Sequence, residues 1–509
     1  MGSALKDTSP SPMVTAQMLI AAGRTEEAVA QLDRLLDREP RYVEALVQRS
    51  LAMILLGRHD EALESADLAL KISRAHPNAH SYRGSALLSL GKAEAALKAY
   101  EQVIALAPQA AVAHYNRANA LQRLGRWNDA LTSLSEALKL QPAYPDAWVL
   151  IGLSALALGE REQALLCYDN ALAIDPKSAA AHYNKGLLLL ALGRLDQGWP
   201  HYDWRLSWET TIRQAQSRSI ARVAPDWHGQ VLDRPLLVIP EQGIGDQMFY
   251  AGMLADLERE MPGSTVCIEP RLQSLLARSF PALNFSSPNH IDAAECIATG
   301  RFGAQIHLAS LGRYFRQRQH DMEKVRAAYL KADPARSEAL AARLRAGGKL
   351  VCGLSWISKN AESGRDKSLN LETLLPMLSL QGIDFIDLQY GDTTEERHSL
   401  QSRHGITLNK LDDIDNFHDI DSLAALISAC DIVVTVSNTT AHLAAALGKP
   451  VLILLSASPA LFWYWHFGRA DSPWYPTAVL LRQETPGDWT TVVDTATAAL
   501  AEFAGAHVR

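Results

Sequence analysis

The chain has 509 residues, 48% of them hydrophobic and 21% charged, with a formal net charge of −7, which at about 150 residues per domain allows roughly three units with real cores. That acidic balance excludes the basic footprint of a nucleic-acid-binding protein, and no apolar run reaches the ~18 residues of a membrane span. The polar opening MGSALKDTSPSP has no secretory pattern, and Cys167, Cys267, Cys296, Cys352 and Cys430 form no CxxC pair, so a reducing, cytoplasmic setting without disulfides or zinc is expected.

Residues 1–12 are expected to be flexible, and from residue 13 the sequence repeats. Glycines fall at Gly23, Gly57, Gly91, Gly125, Gly159 and Gly193, each 34 residues after the last. Ala45, Ala79, Ala113, Ala147 and Ala181 keep the same step, as do Ala28, Ala62, Ala96, Ala130 and Ala164 before Gly198. Small residues recur at Ser50, Gly84, Ala118, Gly152 and Gly186, and prolines at Pro40, Pro108, Pro142 and Pro176. A 34-residue period of this kind resembles the tetratricopeptide repeat, a helix–turn–helix unit. Glycine suits a left-handed helix end, the small residues mark close helix approach, and proline stops each unit. Five repeats plus a partial capping repeat over 13–208 predict an all-α solenoid, a right-handed superhelix with a concave face that suits an extended polypeptide. His80, Tyr82, His114, Asn116, Arg117, His182, Asn184 and Lys185 are its candidate contacts, with inter-repeat packing as the ordinary alternative.

The last repeat departs from the pattern. Its second helix crowds Trp199, Tyr202, Trp204 and Trp208, an aromatic cap. A polar, aperiodic linker is expected over 209–234.

From Pro235 strands alternate with helices, which predicts two Rossmann-like halves, 235–345 and 346–509. The first has strands at Pro235–Pro240, Thr265–Ile268 and Ala304–His307, with a helix over Met248–Glu260. The second has strands at Leu350–Trp356, Phe385–Gln389, Ile432–Val436 and Pro450–Leu455, with helices near Leu371–Leu380 and Ala441–Leu447. In such sheets ligands sit beyond the carboxyl ends of strands.

Two loops there carry chemistry. Gln242-Gly243-Ile244-Gly245-Asp246 opens a helix, so backbone can approach a ligand and N–H groups face an anion. Asp246 could take a proton from an attacking hydroxyl, or simply cap the helix. Ser437-Asn438-Thr439-Thr440 also feeds a helix start and offers hydroxyls and N–H groups to a diphosphate, with His442 in the first turn as ligand or as core histidine. Between the halves, Ser358–Lys367 supplies Lys367, with Arg365 and Lys359 as competitors, to neutralise a departing diphosphate. No Walker A or HExxH pattern is present, and no metal and no cofactor is expected. A leaving group would rely on lysines, hydroxyls and helix dipoles.

Three segments, Pro225–Tyr250, Val436–Leu455 and Ala470–Trp489, resemble bacterial tetratricopeptide-repeat glycosyltransferases of the GT-B fold, which include flagellin-modifying enzymes. They are also similar to lipopolysaccharide heptosyltransferases and, more distantly, to protein O-GlcNAc transferases. The resemblance implies metal-independent, inverting transfer from a nucleotide-sugar to Ser or Thr of a protein held by the repeats, with flagellin favoured. It implies Asp246 as base and Lys367 on the donor phosphate, with Gln389 and Tyr390 as nucleoside contacts. Trp356 and Gln242, Gly243 and Gly245 join the donor set and His442 the catalytic one. The family usually has Asp-Thr where this chain has Ser437-Asn438. Two other readings are a non-catalytic adaptor with a relic or nucleotide-sensing unit, and a lipopolysaccharide-type sugar transferase. A homodimer is compatible with the repeats.

Overall fold

The computed structural model describes residues 11–207, 222–324, 327–359, 364–457 and 463–507. Two units divide the chain, Met1–Asn184 and Lys185–Arg509. The repeats form twelve successive helices, α1 (Pro12–Ala21), α2 (Thr25–Arg38), α3 (Val43–Leu55), α4 (His59–Ile72), α5 (Pro77–Ser89), α6 (Ala93–Leu106), α7 (Ala111–Arg123), α8 (Trp127–Leu140), α9 (Pro145–Ala157), α10 (Arg161–Ile174), α11 (Ala179–Ala191) and α12 (Leu195–Tyr202). Ser11 caps α1 by accepting the Val14 N–H; of the stretch 1–12 expected to be flexible, residues 1–10 lie outside the described residues, as does Trp208.

The periodic residues act as their chemistry requires. The six glycines sit at φ between +70° and +84°, the left-handed turn that ends the first helix of each pair. The small-residue series has a partner sixteen positions on. A Cβ on Gly84 would lie 2.6 Å from the Tyr100 ring, and one on Gly152 would strike Tyr168. Where the small residue is Ser50 or Ala118, position sixteen is Ala66 or Leu134, both buried. In these repeats the small residue is glycine where its partner sixteen positions on is tyrosine.

Polar ties also follow the period. Arg49 reaches back to Asp33 at 2.7 Å and forward to Ser65 at 2.7 Å. Arg83 pairs with Asp67 at 2.7 Å, and Arg117 binds Ser133 at 2.5 Å and faces Glu101 at 3.7 Å. Each lies sixteen residues from its partner.

The second unit contains two fully parallel sheets. The first runs β3 (Asn284–Ser286), β2 (Thr265–Cys267), β1 (Leu236–Ile239), β4 (Ala304–His307). The second runs β6 (Ile383–Asp387), β5 (Leu350–Ser355), β7 (Ile432–Val436), β8 (Val451–Leu455), β9 (Ala478–Arg482). Runs such as IVVTV and VLILL are buried at every position, as strands covered on both faces must be. β3 and β9 had not been expected. β3 has only three residues, none buried, which leaves no hydrophobic pattern to read.

Three further expectations change. The helix over Met248–Glu260 begins earlier, at Ile244, and is broken by a tight turn at Ala251–Met253. The helix near Leu371–Leu380 shrinks to Leu375–Leu378, with Pro376 in its first turn. The expected linker 209–234, described from residue 222, packs on the first sheet. Val223, Ala224 and Trp227 are buried, and Gln305 Oε1 accepts the Val223 and Ala224 N–H groups.

Candidate active site

Both polar loops lie at switch points. In the first sheet the chain reverses direction of growth between β1 and β4, and in the second between β5 and β7, where crevices open beyond the strand ends. Each crevice is bridged by a side chain from its own loop. Glu241, just after β1, accepts the Ala309 N–H beyond β4 at 2.9 Å. Asn438, just after β7, donates to Ser355 Oγ at the end of β5 at 2.8 Å.

Helix Ile244–Tyr250 starts at Gly243, and helix Thr439–Ala446 at Asn438. Their first turns meet. A Cβ on Gly245 would lie 3.3 Å from His442 Cδ2 and 3.6 Å from Thr439 Oγ1, so the missing side chain at 245 permits the approach. Asp246 is partly buried at this meeting point, and its Oδ2 accepts the Gly243 N–H at 3.2 Å. The capping role considered for it is therefore real.

Burial pushes the Asp246 carboxyl up to about 6, against the Gly243 N–H and the positive charge of Lys367. Lys367, in the short helix Gly364–Lys367, is itself buried. Burial brings its ammonium down to about 8, with Asp246 working the other way. The competitors are placed differently. Arg365 is exposed, and Lys359 gives its N–H to Tyr390 Oη at 2.7 Å with its Nζ 5.7 Å over that ring.

His442 is 3% exposed. Its ring stacks on Trp465 at 5.2 Å, meets Tyr464 edge-on at 5.0 Å, and shares a 2.9 Å hydrogen bond between Nδ1 and Tyr475 Oη. Burial, aided by Lys367, brings its pKa down to about 3. A ring held neutral at physiological pH can donate a hydrogen bond through one nitrogen and accept one through the other.

Several expected donor contacts are spent on structure. The Gln389 side-chain oxygen accepts from Ser355 Oγ, Trp356 N and Ile357 N at 2.8–3.0 Å, which shapes the loop after β5. Trp356 is fully buried and donates to Glu396 at 3.0 Å. Asn438 Oδ1 accepts Thr440 N and Ala441 N, Ser437 Oγ accepts the Trp465 indole N–H at 2.8 Å, and Thr440 is buried. These hydrogen bonds shape the two loops, as buried polar groups satisfy one another. Gly243, Gly245, Asp246, Lys367, Thr439 and the edge of His442 are brought together. Tyr390 is half-buried further along, 6.2 Å from the exposed Phe417 ring. Gln242 adopts φ +62° and donates to Tyr202 Oη at 2.8 Å.

In the repeats, His80, His114 and His182 each bond a carbonyl six residues earlier, Arg74, Pro108 and Pro176, at 2.9–3.1 Å. They fasten the turn between repeats. Tyr82 packs on Leu46, Val47, Ala69 and Ala79, Arg117 belongs to the arginine series, and Asn184 donates to the Ala180 carbonyl at 2.8 Å. These bonds and contacts hold the side chains in place while leaving them partly exposed. Asn116 and Lys185 are half-buried.

Sequence reasoning missed the aromatic wall. Trp463, Tyr464, Trp465, Trp474 and Tyr475 are buried around His442 and Phe249. The density of the run FWYWHF and the DSPWYP segment was the available signal. It also missed Arg205 and Glu241, isolated charges with no local pattern. Among the described residues no group of three or more His, Cys, Asp or Glu is arranged to hold a metal, and no helix is long and apolar enough to cross a membrane.

Comparison with known proteins agrees with this division. Residues 15–80, 84–125, 111–144 and 152–193 match tetratricopeptide repeats, and residues 418–488 match glycosyltransferase family 9 (heptosyltransferase). The chain is 32% identical over 295 residues to Protein FlbA of Caulobacter vibrioides, across 55% of this chain and 48% of that protein. It thus spans about half the length of this curated relative. Solved structures that resemble the repeats include MamA 41-end from Desulfovibrio magneticus RS-1, 23% identical over 34% of this chain and 99% of that one, with a TM-score of 0.31. YrrB, described as a TPR protein with an unusual peptide-binding site, is 21% identical over 34% and 90%, with a TM-score of 0.30. A thermophilic TPR protein of Thermus thermophilus, TTC0263, is 25% identical over 35% and 97%, with a TM-score of 0.32. The chain carries tetratricopeptide repeats and a glycosyltransferase family 9 segment, which supports a glycosyltransferase.

Proposed function

We propose that the protein is an inverting, metal-independent glycosyltransferase of the GT-B type that moves a sugar from a nucleotide-sugar to Ser or Thr hydroxyls of a protein, with flagellin as the favoured acceptor. The single observation that carries this reading is the meeting of Asp246 with Lys367 and the Thr439–His442 turn at the carboxyl ends of two parallel sheets. The family 9 match over residues 418–488 includes that turn. The acceptor rests on the resemblance to flagellin-modifying enzymes and on the repeats, whose kind serves protein contacts.

Asp246 acts as general base. With a pKa of about 6 it is mostly ionised at neutral pH yet basic enough to take the acceptor proton as the hydroxyl attacks the anomeric carbon. Lys367, still largely protonated at pH 7, meets the charge that builds on the departing phosphate. The Thr439 hydroxyl and N–H at the helix start add dipolar stabilisation, while neutral His442 shapes the wall beside them.

The test is turnover of a UDP-sugar, an ADP-heptose and a CMP-linked nine-carbon acid, with flagellin present and its peptides weighed by mass spectrometry. One donor should leave a sugar mass on Ser or Thr peptides, and Asp246→Asn should abolish that product. Transfer at the wild-type rate by Asp246→Asn would remove the base assignment.

A further inference from the structure

We propose that Tyr202 and Arg205, at the end of the last repeat, are positioning residues for the site carboxylate and hold the Glu241–Gly243 loop in its working shape from behind. This rests on reading Asp246 as the base of a glycosyl transfer.

Tyr202 follows Gly186 by sixteen residues, the place Tyr100 and Tyr168 hold relative to Gly84 and Gly152. In those repeats the phenol ring fills the space over the glycine. At Gly186 a Cβ would instead meet the Tyr202 backbone, at 2.5 Å from its N and 2.8 Å from its Cα. The helix itself closes in, and the ring is released to point elsewhere. Its hydroxyl lies 2.9 Å from Tyr250 Oη and accepts the Gln242 side-chain N–H at 2.8 Å.

Three residues on, Arg205 is completely buried. Its Nε and Nη2 clasp both oxygens of Glu241 at 2.7 and 2.5 Å, and Nη2 also reaches Ser310 Oγ at 3.0 Å. Its Nη1 is held by the Tyr202 carbonyl and Asp203. Adjacent loop residues 241 and 242 are therefore each tied by one residue of a single turn.

The loop needs holding. Gln242 sits at φ +62°, a left-handed conformation that non-glycine residues keep only where the surroundings enforce it. The next residue, Gly243, gives its N–H to Asp246, so the shape of 241–243 sets where the carboxylate points.

The electrostatics run the same way. Glu241 raises the pKa of Asp246. Burial alone would raise Glu241 too, but the charge and hydrogen bonds of Arg205 outweigh it and keep Glu241 below the usual carboxylate range. The groups facing Asp246 are Lys367 from the second half, Glu241 from its own loop, and the phenols of Tyr250, Tyr464 and Tyr475. Arg205 stands behind Glu241, so it lowers the negative potential at the base.

The experiment uses the full chain and follows release of nucleotide from whichever of a UDP-sugar, an ADP-heptose or a CMP-linked nine-carbon acid the wild type turns over. Tyr202→Phe keeps the ring and removes the hydroxyl. It is expected to lower kcat about tenfold or more at unchanged donor KM, as a misplaced base does. Arg205→Met leaves Glu241 uncompensated and should move the acid limb of kcat/KM upward by about one pH unit. Arg205→Met/Glu241→Gln, which buries no unpaired charge, should bring the limb back to the wild-type position or below, and it decides the matter if the single variant does not fold. Unchanged kcat in Tyr202→Phe together with an unmoved acid limb in the arginine variants would overturn the positioning role alone. A wild type that turns over none of the three donors would sink the transferase reading and this inference with it.

Discussion

Replacing Asp246 with asparagine should cost the reaction and stabilise the fold. Burial lifts the carboxyl from its ordinary 3.8 to about 6, a shift of about two units at 1.36 kcal/mol each, or roughly 3 kcal/mol of unfavourable charge burial at neutral pH. Asparagine keeps an oxygen for the Gly243 N–H, 3.2 Å away, and the charge assistance of that bond is already contained in the net shift. The expected gain at neutral pH is therefore about 3 kcal/mol. Its pH dependence follows from the direction of the shift. Between 3.8 and about 6 the folded state holds a proton that the unfolded state has lost, so wild-type stability falls as pH rises through that window. Below it the two proteins carry the same neutral group. Thermal melting of both from pH 4 to 8 should therefore show curves that coincide near pH 4 and separate by pH 7, the variant melting higher, while transfer falls by about 10² or more. A variant that is no more stable at pH 8, or a gap independent of pH, would refute the buried-base argument.

Three further outcomes follow from the same structure. The pH profile of kcat/KM should be bell-shaped with limbs near about 6 and about 8, set by ionised Asp246 and protonated Lys367; Lys367→Arg should carry the upper limb beyond the measurable range while the acid limb stays. Asn438→Ala removes both the cap on Thr440 and Ala441 and the bridge to Ser355, and should lower stability by about 2 kcal/mol in chemical denaturation. Gly84→Ala should cost about 1–3 kcal/mol through its clash with Tyr100, and Tyr100→Leu in the same chain should recover most of it, reproducing the Ala118–Leu134 pairing; an additive double variant would break the volume-matching argument.

The repeats were legible because each carries its own evidence several times over. A single glycine says little, but six at one spacing fix a phase, and the structure finds all six in the left-handed turn. The sheets were legible where a strand is buried on both faces, as β7 and β8 are. β3, three residues without a buried side chain, offers neither period nor apolar run. The linker failed for a related reason. Its composition is polar, yet Gln305 supplies the hydrogen bonds that its backbone would otherwise seek in water, and composition cannot announce a partner eighty residues away.

The site divides along the same line. Residue types at a helix start indicate what chemistry a loop can do, and Asp246, Lys367 and Thr439 meet as that logic requires. What the types do not reveal is which polar atoms are already spent. Asn438, Ser437 and Gln389 look like ligand contacts in sequence, but their oxygens are occupied by Thr440, Trp465 and the loop after β5. A carboxamide at 438 can cap its helix and bridge to β5 at once, because it both accepts and donates; a carboxylate could only accept. Asn438 therefore caps its helix and ties it across the switch point with one side chain. Lys367 stands as a buried cation whose charge acts on Asp246.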